Sequence, residues 1–343
     1  LEIDEDVERE AQRVACGGAD EDAVKLMGLR KVYPGGKIAV RNLSFGLKRG
    51  ECFGFLGING AGKTTTMKML TGDVHPSHGT ATLGGFDILS QQIEVRRQIG
   101  YCPQFDALFD LLTVREHLEL FGAIKGVPQN LLDRVVTEKI HQLNLTDFEN
   151  KLAGSLSGGN KRKLSVAIAM IGNPAIIFLD EPSTGMDPVS RRFMWDVIAN
   201  ISTRGKESTI VLTTHSMEEC EALCSRVGIM VGGRLRCYGS VQHLKSRFGD
   251  GLMLDVKLKL SGSFGAEQVL VMERQNDFCR FKVRSSTEEV KLSKMFALIE
   301  EVKTKIHIRE YSVSQTTLEQ IFNSFASQQE EEQGVARGVY QGN

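Results

Sequence analysis

The run Gly57-Ile58-Asn59-Gly60-Ala61-Gly62-Lys63-Thr64 fits the pattern G-x-x-x-x-G-K-[ST] at every position. The apolar run Cys52–Leu56 precedes it, and Thr64–Thr71, which reads as a helix, follows. Few chains can place a buried strand, a glycine-rich turn and a helix in that order without building a phosphate-binding α/β fold. The glycines let the backbone curl so that successive N–H groups point inward at phosphate oxygens, and the helix start adds about half a positive charge. In such a loop Lys63 spans the β- and γ-phosphates, the Thr64 hydroxyl ligates magnesium, and Thr65 is a further phosphate donor. A chance glycine-rich turn is the alternative, and the strand–loop–helix context argues against it.

The surrounding pattern agrees. Ala175–Leu179 and Thr209–Leu212 are further short, all-apolar runs, with a helix around 188–203 between them. Such runs alternating with helices indicate a parallel sheet buried on both faces. Segments 23–32 and 38–48 read as strands across the turn Pro34-Gly35-Gly36, and Ala81–Leu83 and Ile99–Tyr101 as short strands. Helical periodicity covers 113–125 and 130–143, and a further helix runs from Asn160 to Ile171. Gly228–Val231 and Arg234–Tyr238 form a hairpin that closes this part.

Composition limits what else the chain contains. Its 343 residues carry 42 basic and 43 acidic side chains, so nothing suggests a nucleic-acid partner. No run approaches the roughly 18 apolar residues needed to cross a bilayer. The seven cysteines are scattered and read as free thiols of a reducing compartment. Residues 1–22, with nine acidic and two basic side chains, read as a solvated linker with a short helical piece at 4–14. The domain expected from the patterns is 23–245, with a helical insert at about 94–165. Residues 246–326 read as a small second α/β unit, with strands at 252–260, 278–283 and 305–313 and helices near 287–303 and 315–326. Residues 327–343 read as a disordered tail. The chain begins with Leu1 rather than Met, so a piece of a longer polypeptide is expected.

Two other segments carry chemistry. Ile176–Leu179 runs straight into Asp180 and Glu181. A strand emerging at its carboxyl end delivers Asp180 to the crevice where open parallel sheets bind ligands. There Asp180 can hold magnesium while Glu181 polarises an attacking water. Alone, this is as readily a strand ending in a surface acidic pair; with the phosphate loop upstream it reads as a metal-binding strand. Leu156-Ser157-Gly158-Gly159-Asn160 opens a helix with a hydroxyl and exposed amides, a second anion cradle. One chain needs only one cradle per nucleotide, so this one suits a nucleotide held by another domain, although a plain helix cap is the simpler reading of Ser-Gly-Gly alone.

The order and spacing of these parts resemble the ATPase subunit of ATP-binding-cassette transporters over about 23–245. The resemblance implies a P-loop NTPase fold: a mostly parallel core sheet, an antiparallel β subdomain and a helical subdomain. It implies that Tyr33 stacks on adenine (strand packing being its other role), that Gln104 touches magnesium and water, and that Ser157, Gly158 and Gly159 are the signature that covers a partner domain's ATP. Asn160 departs from the usual Gln. Asp187 resembles the D-loop aspartate, and His215, otherwise an ordinary strand-end histidine, matches the switch histidine at the γ-phosphate.

Gly100–Leu108, Leu112–His117, Ser157–Ser165, Ser183–Pro188, His215–Cys224 and Ser312–Phe322 look like subfamily A, the last resembling the tail of its second ATPase domain. That subfamily implies ATP and Mg²⁺, a head-to-tail second nucleotide-binding domain, transmembrane domains of the same or a partner chain, an indirect lipid cargo and a place on the cytoplasmic face of a membrane. The surface expected to meet the membrane segments is the helical insert, with Phe109, Arg115, Glu116 and Phe121 as candidates. The rivals are a soluble cassette ATPase acting on nucleic acid or ribosomes, which would carry coiled-coil or basic insertions, and a regulatory ATP-binding domain without turnover, which would lack Glu181 or His215. The 246–326 unit is expected either to regulate the ATPase or to stabilise the fold.

Overall fold

The computed structural model describes residues 4–204, 208–248, 252–258, 269–275, 278–283, 297, 299–301, 303, 308–315, 317–323 and 325. The chain contains two compact units, one holding Leu1–Ser240 and the other Val241–Ser324. The division falls before the expected 245/246 boundary because the helix Val241–Phe248 belongs to the second unit.

The first unit opens with α1 (Glu5–Ala15), β1 (Val24–Val32), β2 (Ile38–Leu47), β3 (Cys52–Leu56) and α2 (Lys63–Thr71). Next come β4 (His78–Leu83), β5 (Phe86–Asp87), α3 (Gln92–Gln98), β6 (Ile99–Cys102), α4 (Val114–Ile124) and α5 (Gln129–Gln142). It ends with α6 (Gly158–Met170), β7 (Ile176–Asp180), α7 (Pro188–Ala199), β8 (Thr209–Thr213), α8 (Met217–Leu223), β9 (Arg226–Val231) and β10 (Arg234–Gly239).

A six-stranded sheet has the order β10-β9-β3-β8-β7-β6, parallel from β9 to β6, with β10 antiparallel at its edge. A four-stranded antiparallel sheet has the order β2-β1-β4-β5. The two share an apolar core in which Phe45 of β2 stacks on Phe53 of β3 at 5.3 Å, with Phe55 and Tyr238 around them. Each such buried ring contributes about 1.5–3 kcal/mol. β3, β7 and β8 are buried at every residue, which explains why their sequences read as continuous apolar runs. The expected insert of 94–165 takes in β6, a strand of the core sheet, so the helical part proper begins after Cys102. There α4 starts from a capping box, Thr113 with Glu116.

Residues 1–22 were expected as a solvated linker, and the described part is not one. Glu10, Val14 and Ala19 are buried, and α1 packs on β2 and β10. Its charges neutralise each other on docking. Glu10 accepts from Gly46 N at 2.8 Å and from Arg13 Nη2 at 2.8 Å, and Arg13 Nη2 also donates to Asp22 at 2.5 Å. A Cβ at Gly46 would lie 2.1 Å from Asp22 Oδ2 and 2.7 Å from Arg13 Nη2, so a side chain there would have to displace the Arg13–Asp22 pair.

The second unit contains α9 (Val241–Phe248) and an antiparallel sheet of β11 (Leu252–Leu258), β12 (Val269–Gln275), β13 (Phe278–Val283) and β14 (Ile308–Gln315), in the order β12-β13-β11-β14. β12 has no counterpart among the sequence expectations. The expected helical stretch 287–296 and the tail 327–343 lie outside the described residues.

Candidate functional site

β3 ends on the loop 57–62, and three glycines there have left-handed or otherwise positive φ: 157° at Gly57, 80° at Gly60 and 107° at Gly62. Gly62 is the tightest position. A Cβ there would lie 2.4 Å from Ala39 O, so the loop closes against β2 only with glycine. Gly62 is also the N-cap of α2 and has no side chain to cap it, which leaves the first amides of the helix to a ligand.

Lys63 is 9% exposed, and its ammonium is held at the loop by the Gly57 carbonyl at 2.5 Å and the Ile58 carbonyl at 3.2 Å. Burial pushes its pKa down, while the charges of Glu181 and Asp180 act in the opposite direction.

β7 and β8 bring the carboxylates to the same place. Thr64 Oγ1 donates to Asp180 Oδ2 at 3.5 Å, and Thr213 Oγ1 of β8 donates to Asp180 Oδ1. The next residue, Glu181, has φ 50°, a left-handed conformation that costs a side-chain-bearing residue about 1–2 kcal/mol. Its N–H is clamped by Thr213 O and Oγ1, both at 3.1 Å. Thr184 Oγ1 donates to Glu181 Oε2 at 3.0 Å, and His215 Nδ1 lies 3.3 Å from the same oxygen.

One cleft is lined by Tyr33, Asn59, Gly60, Ala61, Gly62, Lys63, Thr64, Thr65, Gln104, Asp180 and Glu181. All of these were singled out from the sequence; Lys37 and Ala39, which also line it, were not. Gly57 contributes its carbonyl to Lys63, and His215 reaches the group through Glu181.

The other candidates lie apart from this cleft. Ser157 caps α6 by accepting from Asn160 N at 3.3 Å, and a Cβ at Gly158 or Gly159 would face open space. Asp187 caps α7, accepting from Val189 N and Ser190 N at 3.0 Å each, and its bonds to Ser190 lower its pKa. Of the residues expected to face membrane segments, Arg115 is bound to Glu149, Asp133 and Thr137, and Glu116 is half of the α4 capping box. Phe109 is exposed, as are Phe105 and Leu111 beside it.

Sequence reasoning missed Thr213, Thr184 and Arg162. A hydroxyl at a strand end has no distinctive signal, and Arg162 lies in a basic run, Lys161-Arg162-Lys163, that looks solvent-facing although Arg162 is 4% exposed.

The donors at the cleft are a threonine hydroxyl, a carboxylate and a side-chain amide, all hard oxygen ligands of the kind that holds magnesium together with substrate phosphates. Among the described residues no group of three or more His, Cys, Asp or Glu could hold a metal by itself. No described helix is long and apolar enough to cross a membrane.

Comparison with known proteins gives a consistent picture. Residues 40–184 match the ABC transporter family. The human ATP-binding cassette sub-family A member 2 is 49% identical over 96% of this chain and 14% of its own length. The human retinal-specific phospholipid-transporting ATPase ABCA4 is 49% identical over 96% of this chain and 15% of its own, and the rat phospholipid-transporting ATPase ABCA3 is 45% identical over 95% and 20%. The chain thus spans a fifth or less of these relatives. Among solved structures, the ATP-binding subunit of an ABC transporter superposes with TM-score 0.60 at 25% identity, covering 66% of this chain and 93% of that one. A dimeric ATP-binding cassette in a post-hydrolysis state with ADP and Pi gives 0.59 at 24%, covering 63% and 98%, and shares the fold.

Proposed function

This chain belongs to the ATP-binding-cassette transporter family, subfamily A, as an ATP-binding domain, and from that premise we propose that it hydrolyses ATP to drive the movement of lipid by membrane segments outside the chain. The observation that carries the reading is the convergence of residues 59–65, Gln104, Asp180 and Glu181 on one cleft.

The substrate's triphosphate lies along the loop amides and Lys63, with Asn59, Gly60, Ala61, Gly62 and Thr65 around it and Tyr33 against the adenine. The Thr64 hydroxyl, Asp180 and Gln104 would hold Mg²⁺, which supplies positive charge to the phosphate oxygens. Glu181 accepts the proton of the attacking water. His215, beside Glu181, stabilises charge on the transferring phosphoryl group.

Ser157, Gly158 and Gly159, the first two exposed and the third half-buried at the start of α6, serve the nucleotide of a second, head-to-tail domain, whose own signature covers this cleft; Asp187 lies at that junction. The separation of the signature from the cleft of the same chain supports this arrangement. Exposed Phe105, Phe109 and Leu111 next to Gln104 offer an apolar surface to the membrane domains. On this reading the domain works at the cytoplasmic face of a membrane. The second unit, Val241–Ser324, regulates turnover or stabilises the first.

The experiment compares wild type and Glu181→Gln. The variant should keep nucleotide binding while steady-state hydrolysis falls by at least about 100-fold. Hydrolysis at the wild-type rate in the variant would remove Glu181 from its role, and failure of the wild type to retain magnesium nucleotide would end the reading.

A further inference from the structure

Arg162 stands on α6, five residues after Ser157, and its side chain reaches the two loops that follow β6 and β7. On the β7 side, Nη2 donates to the carbonyls of Asp180 at 2.6 Å and Glu181 at 3.0 Å, and Nε donates to Pro182 O at 3.2 Å. On the β6 side, Nη1 donates to Pro103 O at 2.6 Å, Gln104 O at 3.4 Å and Asp106 Oδ1 at 3.1 Å. Ser165, one turn further along the helix, also donates to Asp106 Oδ1, at 2.9 Å. Every nitrogen of the guanidinium is therefore engaged, and the group is buried.

The backbone that Arg162 holds is unusual. Glu181 sits in the left-handed region, a conformation that persists in a residue with a Cβ only where its surroundings over-determine it. Thr213 fixes the N–H of Glu181, and Arg162 fixes its carbonyl. A planar fork with five donors can hold two loops at once in one geometry. An ammonium is a point charge with three donors and cannot reproduce that pattern.

We propose that Arg162 is a positioning residue for ATP hydrolysis: it locks the catalytic-carboxylate loop and the Gln104 loop into one unit and ties both to the helix that begins at the signature. The proposal rests on the ATPase reading above. Its consequence is mechanical. Displacement of α6 as its Ser-Gly-Gly start engages a neighbouring domain's nucleotide moves the backbone of Glu181 and Gln104 in this chain's own cleft. The alignment of one ATP site is thereby coupled to occupancy of the other. None of the partners of Arg162 in the Glu181 loop is a side chain, so the link acts on where the carboxylate is placed and not on its charge.

The test uses the full-length transporter carrying Arg162→Lys or Arg162→Gln, each alone and combined with Glu181→Gln. Lysine keeps the charge and most of the packing, so Arg162→Lys remains informative if the glutamine variant does not fold. We expect kcat in Arg162→Lys to fall about 100-fold, the scale of a small misplacement of a reacting group, with ATP affinity changed by less than about threefold. In the Glu181→Gln background, measured by single turnover, the same substitution should lower the rate by less than about threefold, because both changes act through one carboxylate.

A wild-type kcat in Arg162→Lys would overturn the proposal. So would a parallel loss of ATP affinity, kcat and Tm, which marks a merely structural role, or a full second 100-fold loss on top of Glu181→Gln. Absence of hydrolysis in the wild type would instead overturn the ATPase reading, so the two failures are distinguishable.

Discussion

His215 Nδ1 lies 3.3 Å from Glu181 Oε2, the same oxygen that accepts the Thr184 hydroxyl at 3.0 Å. The imidazole is 67% exposed, whereas the Glu181 side chain is only 13% exposed. One partner is therefore held by the fold and the other is free to turn toward a substrate. In the proposed mechanism this pairing would give His215 two roles, orienting the carboxylate and facing the phosphoryl group. His215→Ala should lower ATP turnover by about 100-fold or more while leaving nucleotide binding intact. Paired measurements of ATPase rate and nucleotide affinity check this, and a rate within a few-fold of wild type would show that the contact is idle.

Thr213 is the residue on which both acidic positions depend. Its hydroxyl donates to Asp180 Oδ1 and accepts the Glu181 N–H, and it is fully buried. Thr213→Val keeps the shape and β-branching but leaves a buried carboxylate oxygen without its donor. The expected cost is about 1–3 kcal/mol of stability. A loss of hydrolysis of at least about tenfold should accompany it as Glu181 relaxes from its left-handed conformation. Denaturant unfolding and steady-state ATPase on the same preparation test the two halves separately.

The difference between Thr213 and Lys63 shows what was legible in the chain and what was not. Lys63, Thr64 and Asp180 were readable because their neighbours in sequence impose the geometry: glycines before the lysine, and a fully apolar strand before the carboxylate. Thr213 and Arg162 act across the sheet on groups 33 and 18–20 residues away, and most of what Arg162 touches is backbone carbonyl, which carries no residue identity. The acidic start of the chain misled for a related reason. Nine carboxylates in 22 residues suggest solvation, but Glu10, paired with Arg13 within the helix, accepts the Gly46 amide only once α1 has docked, and Asp22 folds back onto Arg13.

That docking is testable. Glu10 accepts from Gly46 N and Arg13, and the Tyr238 hydroxyl approaches it at 3.3 Å, so one carboxylate joins α1, β2 and β10. Glu10→Ala should destabilise the domain by about 1.5–3 kcal/mol, the range for hydrogen bonds to a charged group. Gly46→Ala should be at least as damaging, since its Cβ would collide with Asp22 and Arg13. Chemical denaturation of each variant decides; a solvated, undocked segment 4–22 would leave both values within about 0.5 kcal/mol of wild type.

Glu219 on α8 gives the domain a predictable pH dependence. Its side chain accepts the Trp195 indole N–H at 3.0 Å and is almost fully buried. Burial raises its pKa above the ordinary 4.5, against the lowering effects of hydrogen bonds from Thr214, Ser183 and Trp195 and the charge of Arg191. The folded state therefore keeps this proton at pH values where the unfolded chain has released it. Folding stability then falls as pH rises from about the ordinary value through the raised one, and levels off above it. Glu219→Gln preserves an acceptor for Trp195 and mimics the protonated acid. The variant should match wild type in Tm at or below pH 4.5, the ordinary value, and exceed it increasingly with pH until the difference becomes constant. A thermal-unfolding series across that range is the measurement. A difference that is flat with pH, or that favours wild type at neutral pH, would mean that the carboxylate is as well accommodated when charged as the three hydrogen bonds and Arg191 could make it.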